Sequence, residues 1–246
     1  MKLNTIALLL FAVPALASFG CQQPQRTYSA DPVYARVVDA DTGKPIQGVA
    51  VVAYWELYQG SITGDGMPCG AVNVAEAVTG KDGWFRIPGW GPVKGACGRM
   101  RNGNPLVYFF KPGYKYLRES SGVGLDYTKE VSVAQVWWNG HTIKLHEFPN
   151  LDLHAYGLGS YAADFGGFNS ELAMFVVNRP GECNWRKIPS MLREIITQRK
   201  AFTAVGNYNF AGSIDLTLMD DAQNKLMQKI APQCGSPRKF VEGLAK

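Results

Sequence analysis

The sequence predicts a mainly β protein: a seven-stranded antiparallel β-sandwich followed by a C-terminal region of two or three short helices. Three observations carry that expectation. Short β-branched and aromatic runs recur at fairly even spacing between residues 33 and 148, broken by turn residues. The 27 glycines and 14 prolines in 246 residues suit many turns better than long helices. After about residue 150 apolar residues recur at helical spacing instead.

The strands follow in order. YARVVDA, from Tyr34, is the first run, and Val49 to Tyr58 (VAVVAYWELY) is a longer one with Val49, Val51, Ala53, Trp55 and Leu57 on one face. VAEAVT and WFRIP flank Gly80-Lys81-Asp82-Gly83, which predicts a hairpin. LVYFF spans residues 106 to 110, before the Pro112-Gly113 turn. VSVAQVWW and HTIKLHEF flank Asn139-Gly140, the strongest two-residue hairpin signal in the chain. Residues 149–168 are rich in glycine and aromatics and give no firm element. Ile188, Met191, Leu192, Ile195 and Ile196 then predict a helix, with Pro189 suited to its first turn. Met219, Ala222, Leu226 and Ile230 predict another, with Thr217 and Asp220 placed as a capping pair, and a shorter helix is expected over residues 171–177.

The first twenty residues have the layout of an export signal: Lys2, an apolar run from Thr5 to Leu16, then small residues. That run is too short to cross a bilayer, which needs about 20 apolar residues. Two processing routes fit. Ala15-Leu16-Ala17 suits ordinary signal peptidase, while Cys21 after Ser18-Phe19-Gly20 resembles the lipid-bearing cysteine of bacterial lipoproteins. Cysteine arithmetic favours the second. Of Cys21, Cys69, Cys97, Cys183 and Cys234, acylation of Cys21 leaves four, enough for two disulfides in an oxidising compartment. Gln22 and Gln23 after the cysteine then suggest the outer membrane, and residues 21–32 read as a polar, proline-containing tether. The alternative is a soluble periplasmic or secreted protein. The only membrane contact expected is through the lipid.

The four remaining cysteines pair by position. Extending the hairpin about Lys81-Asp82 brings Cys69 and Cys97 together, while Cys183 and Cys234 bracket the strong helices and would clamp the two ends of the helical region. Neither pair has the C-x-x-C spacing of a redox-active dithiol.

Composition excludes some partners. With 25 basic and 20 acidic residues, net charge is +5, and no basic run concentrates it as nucleic-acid binding requires. Motifs for catalysis are absent: there is no H-E-x-x-H, G-x-S-x-G or G-x-x-x-x-G-K-[ST]. Asp39-x-Asp41 begins like a calcium loop, but Gly43-Lys44 and missing downstream ligands make it a polar turn. His141, His146, Asp152 and His154 fit no structural zinc spacing, and no cofactor is implied.

Three stretches together resemble a known module. Asp39 to Val51 (DADTGKPIQGVAV), Thr79 to Ile87 (TGKDGWFRI) and Phe110 to Tyr114 (FKPGY) are similar, in order and spacing, to the carboxypeptidase regulatory-like domain, a transthyretin-like sandwich with Greek-key connections. The resemblance covers residues 33–148 and leaves 149–246 as a helical region expected to pack on the sandwich. It implies a non-catalytic module, since the His-x-x-Glu pair of zinc carboxypeptidases fails at every histidine.

One constellation remains. A hairpin at Asn139-Gly140 pairs Trp138 with His141, Trp137 with Thr142, Val136 with Ile143, Gln135 with Lys144 and Val133 with His146. Val136, Ile143, Ala134 and Leu145 then face the core, and Trp137 falls on the other face beside Gln135, Thr142, Lys144 and His146. That indole is either covered by the helices, the expected state because burial gains 2 to 3 kcal/mol or so, or open to a partner. Tyr54 and Tyr58 on the outer face of the long strand share both readings. The function expected is a non-catalytic envelope module binding or scaffolding another protein. The alternative is a carbohydrate-binding protein that recognises cell-wall or extracellular polysaccharide through an aromatic platform.

Overall fold

The computed structural model describes residues 26–60, 66–147, 182–204, 225 and 228–244. Within them the chain is mainly β. The strands are β1 (Thr27–Ala30), β2 (Val33–Asp39), β3 (Ala50–Gln59), β4 (Met67–Val78), β5 (Trp84–Ile87), β6 (Trp90–Lys94), β7 (Arg99–Met100), β8 (Leu106–Phe110), β9 (Leu117–Ser120), β10 (Val131–Ala134) and β11 (Thr142–Leu145). Two α-helices follow, α1 (Pro189–Ala204) and α2 (Pro237–Leu244), with short 3-10 turns at Asn184–Lys187 and Pro232–Cys234.

The strands form three sheets, ordered β10-β1-β6, β11-β2-β5 and β4-β3-β8-β9, with β7 adding to β3 beyond the end of β8. The seven-stranded, wholly antiparallel sandwich expected from the sequence is corrected on both counts. Among the described residues there are eleven strands, and two pairings, β1 with β10 and β2 with β11, are parallel.

The two hairpins expected from turn residues are not hairpins. Gly83 N donates to Gly80 O at 3.0 Å, so the Gly80–Gly83 turn forms, but β4 pairs with β3 while β5 pairs with β2. The turn therefore arches between sheets. At Asn139-Gly140 the chain also turns, with His141 N on Trp138 O at 3.0 Å, yet β10 and β11 do not pair. Both instead run alongside the consecutive strands β1 and β2, and the register slips where the turn interrupts them. Turn chemistry reports that the chain bends; it does not say which strand receives it.

Strand β3 organises the layers. Its odd residues, Val51, Ala53, Trp55 and Leu57, pack with Val107 and Phe109 of β8 against the inward faces of the other two sheets, among them Ala35, Val37, Phe85, Ile87, Ile143 and Leu145. Its even residues, Ala50, Val52 and Tyr54, pack with Tyr108 and Phe110 against Trp185, Ile188, Met191, Leu192, Ile195 and Val241. Being covered on both faces, β3 reads as a continuous apolar run. Two β layers and one helical layer share this strand.

The helical layer is joined to the sheet by a polar contact as well. Glu76 of β4 accepts hydrogen bonds from Ser190 N (2.9 Å) and Met191 N (2.6 Å), capping the start of α1 from outside the helix. The helix expected around Ile188–Ile196 is present and longer than the apolar pattern. Helix α2 was not anticipated; its signal is Pro237 in the first turn with Phe240, Val241 and Leu244 inward. The helices expected over 171–177 and 219–230 lie wholly or largely outside the described residues, as do the signal segment, Cys21 and most of the tether.

Both expected disulfides form. Cys69–Cys97 has a Cα–Cα distance of 6.1 Å and Cys183–Cys234 one of 5.3 Å. The first arises by a different route from the hairpin extension. Cys69 lies in β4 on one side of β3, whereas the chain through Cys97 leads into β7 on the other. Gly98 makes the crossing possible: a Cβ there would lie 2.0 Å from Tyr58 O. No helix among the described residues is long and apolar enough to cross a membrane.

Candidate functional site

Alternation along β2, β5 and β11 sends one set of side chains inward and leaves the other on an open outer face. Val33, Ala35 and Val37 are buried, while Tyr34 points out and is 40% exposed. Phe85 and Ile87 are buried, while Trp84 (40% exposed) and Arg86 point out. Ile143 and Leu145 are buried, while Thr142 and Lys144 point out. The register puts Thr142, Arg36 and Trp84 in one row across the sheet and Tyr34 beside Arg86 in the next. The Tyr34 and Trp84 rings lie 6.4 Å apart across the diagonal.

The turn after β10 extends this face. Trp138 turns inward, packs on Phe109 at 5.9 Å and donates its indole N–H to Ser120 O at 3.1 Å. Trp137 turns outward and is 60% exposed, the largest apolar surface in this region. Its ring lies edge-on to His141 at 5.7 Å and against Gly122, where a Cβ would approach the indole to 2.2 Å. Its backbone N–H is fixed to Ser121 O at 2.9 Å. Gly140 in the same turn sits against the Tyr34 ring, so Trp137, His141, Tyr34 and Trp84 form one outward strip. Arg36, Arg86, Lys144 and Thr142 flank it. The Arg36 Nε is spent on Asp82 O at 2.9 Å.

The expected site residues divide. Val136, Ile143, Ala134 and Leu145 face the core and Trp137, Gln135, Thr142, Lys144 and His146 are all exposed, as alternation predicts, but the expected cover of the Trp137 indole by the helices is corrected, because α1 and α2 pack on the β3 and β8 face instead. The grouping is corrected because it rested on the hairpin register. Gln135 turns to Asp31, donating to its carboxylate at 2.7 Å. His146 sits at the far end of β11, its carbonyl bonded to Lys115 N at 2.9 Å, some five residues or about 16 Å along the strand from the Trp137 end. Tyr54 is not available to a ligand: it is 2% exposed beneath the helical layer, and its hydroxyl donates to Glu56 at 3.3 Å. Tyr58 is half-buried, donates to the same carboxylate, and carries the Arg101 guanidinium over its ring at 4.1 Å.

Tyr34, Trp84, His141, Arg36 and Arg86 were missed by sequence reasoning. Their signal was present in YARVVD and WFRI, where each of the strand residues alternates with a buried apolar one. The Asp39 turn forms without a metal-like geometry: its Oδ1 accepts from Thr42 N (2.7 Å), Thr42 Oγ1 (2.6 Å) and Asp41 N (3.2 Å). Those donors hold the Asp39 carboxyl below its ordinary value. Among the described residues no three His, Cys, Asp or Glu side chains gather as metal ligands.

No family model matches the chain, and no curated protein matches it. Among solved structures, the 3-chlorocatechol 1,2-dioxygenase of Rhodococcus opacus 1CP is 13% identical over 51% of this chain and 62% of its own, with a TM-score of 0.30. The chlorocatechol 1,2-dioxygenase of Pseudomonas putida is 16% identical over 50% and 60%, with a TM-score of 0.23. A 9R-lipoxygenase from Cyanothece PCC8801 is 11% identical over 73% and 25%, with a TM-score of 0.26. The chain spans less than two thirds of each, and likenesses of this size assign it to no family and bear on no activity.

Proposed function

We propose that the protein is a non-catalytic, exported binding module of the cell envelope, built on a carboxypeptidase-regulatory-like sandwich, that holds polysaccharide across its outer aromatic strip. The observation that carries this is the exposure of Trp137, an indole 60% open whose pyrrole side lies against Gly122 beside His141. An apolar ring kept in water forgoes burial energy, and a rigid aromatic of that kind is a ready anchor for a ligand with an apolar face and a polar rim. Hydroxyl groups of a bound sugar would meet Thr142, Lys144 and Arg86 alongside. Two disulfides accord with an oxidising compartment. The turns at Gly43, Gly83 and Gly113, each at positive φ, accord with the module resemblance.

Affinity electrophoresis through gels containing peptidoglycan fragments or exopolysaccharide tests this. Retardation of the wild-type chain, lost by roughly tenfold in affinity on Trp137→Ala with the circular dichroism spectrum unchanged, is the expected result. Retardation that survives the substitution, or none with any polysaccharide, overturns it. In the second case crosslinking in envelopes through a photoreactive residue at position 137 would favour the protein partner.

A further inference from the structure

A second candidate site, lined by other residues than the strip, lies at the end of β3 where β7 joins it. There Tyr58, Gln59, Arg99, Arg101, Asn102 and Tyr127 line a cavity of about 340 Å³. We propose that this cavity binds a small oxyanion, a carboxylate or phosphate borne on a ring the size of a monosaccharide, between Arg99 and Arg101.

The sequence places the two guanidinium groups on one side. Arg99 and Arg101 flank Met100, whose side chain is fully buried in the core, so strand alternation turns both arginines the other way. Both are exposed, and neither forms an ion pair among the described residues. Two like charges two residues apart repel, and an anion between them removes that repulsion. The Arg101 guanidinium carbon lies over the Tyr58 ring, 4.1 Å from its centre. One of its terminal nitrogens lies beside Gly66, where a Cβ would approach it to 2.4 Å, and the forked N–H donors of a guanidinium suit bidentate contact with an oxyanion.

The backbone carrying them is fixed. Met100 N donates to the Tyr28 hydroxyl at 3.1 Å, and the Tyr127 hydroxyl donates to Met100 O. Burial pushes both phenols above the ordinary value of 10.0, so both stay neutral at neutral pH. Arg26 lies over Tyr127, 5.2 Å from its ring centre, and donates to its carbonyl. Asn102 accepts from Leu125 N at 3.0 Å, which ties the opposite wall to the 121–125 segment. A cleft of this volume sits at the lower end of those that hold small ligands, enough to seat about one sugar ring.

Calorimetric titration of the full chain with glucuronate, glucose 6-phosphate and glucose tests the site. The expected result is binding of at least one anion and none of glucose; whichever anion binds more tightly names the head group. Arg99→Gln and Arg101→Gln should each weaken binding by about tenfold or more, while Trp137→Ala leaves it unchanged. Amide NMR of the unmutated chain gives a readout that needs no variant: the anion should shift Arg99 to Asn102 and Tyr127. Anions that bind no better than glucose, arginine variants that keep wild-type affinity, or shifts confined to other residues would each overturn the proposal. The polysaccharide proposal fails separately, through Trp137.

Discussion

The side-chain amide of Asn139 supplies the rung missing between two parallel ladders: its Oδ1 accepts Tyr34 N–H at 2.7 Å and its Nδ2 donates to Pro32 O at 2.7 Å. Asn139 thus mimics a peptide unit where β1 passes into β2 and the register against β10 and β11 slips. It also sets the turn that presents Trp137 and His141. Asn139→Ala should cost about 1 to 3 kcal/mol, because it strips two backbone groups of their partners. Asn139→Asp should cost less than alanine, keeping the acceptor and losing the donor. Urea denaturation of the three chains measures the order, and equal stability of all three would contradict the role.

Glu76 couples the helical layer to the sheet and should leave a signature in the pH dependence of folding. Burial raises its pKa above the ordinary 4.5, despite hydrogen bonds from Met191 and Ser190 that pull the other way. The folded chain therefore holds this proton at a pH where the unfolded chain has lost it. Its contribution to stability falls as pH rises from the ordinary value through the raised one, then levels. Glu76→Gln should remove that slope, and denaturation curves across the range would show it. Glu76→Ala should cost about 1 to 3 kcal/mol at neutral pH, since two amides at the head of α1 lose their acceptors.

Asp39 should act in the opposite sense. Hydrogen bonds from Thr42 and Asp41 lower its pKa below 3.8, the first from the Thr42 hydroxyl. Stability from this turn is present above that ordinary value and lost as pH falls through the lowered one. Asp39→Asn should flatten the acid limb of the stability profile by lowering stability in the neutral region, since the amide, like the protonated acid, lacks the charge that those hydrogen bonds favour. An acid limb identical to wild type would rule this out.

The Cys183–Cys234 bridge closes a loop with a sequence separation of 51, joining the 3-10 turn before α1 to the one before α2. Chain-entropy arguments put its contribution at about 4 kcal/mol at most, with less where the unfolded chain stays compact. Serine at both positions should loosen α1 and α2 first. Hydrogen exchange should rise at Met191–Ile195 while β3 stays protected. Uniform loss of protection through β3 would mean that sheet and helices unfold as one unit.

What the sequence discloses here is orientation; what it withholds is partnership. Side-chain alternation placed Val51, Ala53, Trp55 and Leu57 on the same face, and sent Val136 inward and Trp137 outward, because period-2 geometry is local. Strand pairing is not local. Gly80–Gly83 and Asn139-Gly140 look like hairpin loops, but each hands the chain to another partner, and the grouping of Trp137 with Gln135 and His146, which rested on hairpin register, fails with it. Tyr54 illustrates the same limit. Its outward direction on β3 was legible, whereas the Trp185 and Met191 layer that covers it comes from more than a hundred residues downstream.

Adjacent tryptophans give the sharpest separation of fold from function. Trp138 is 1% exposed, packed on Phe109, with its indole N–H on Ser120 O. Trp138→Ala should cost about 3 to 5 kcal/mol, through the cavity and the abandoned carbonyl. Trp137 is 60% exposed, with its ring against His141 and Gly122, so Trp137→Ala should shift stability by about 0.5 kcal/mol or less. Its effect should fall on ligand affinity instead. Gly122→Ala offers a subtler check: the Gly122 backbone is at a φ of +63° and a Cβ would drive into the indole, so the ring must tilt off its support. That change should weaken polysaccharide retention with Trp137 still in place. If Gly122→Ala retains full binding, the ring does not act as a fixed platform.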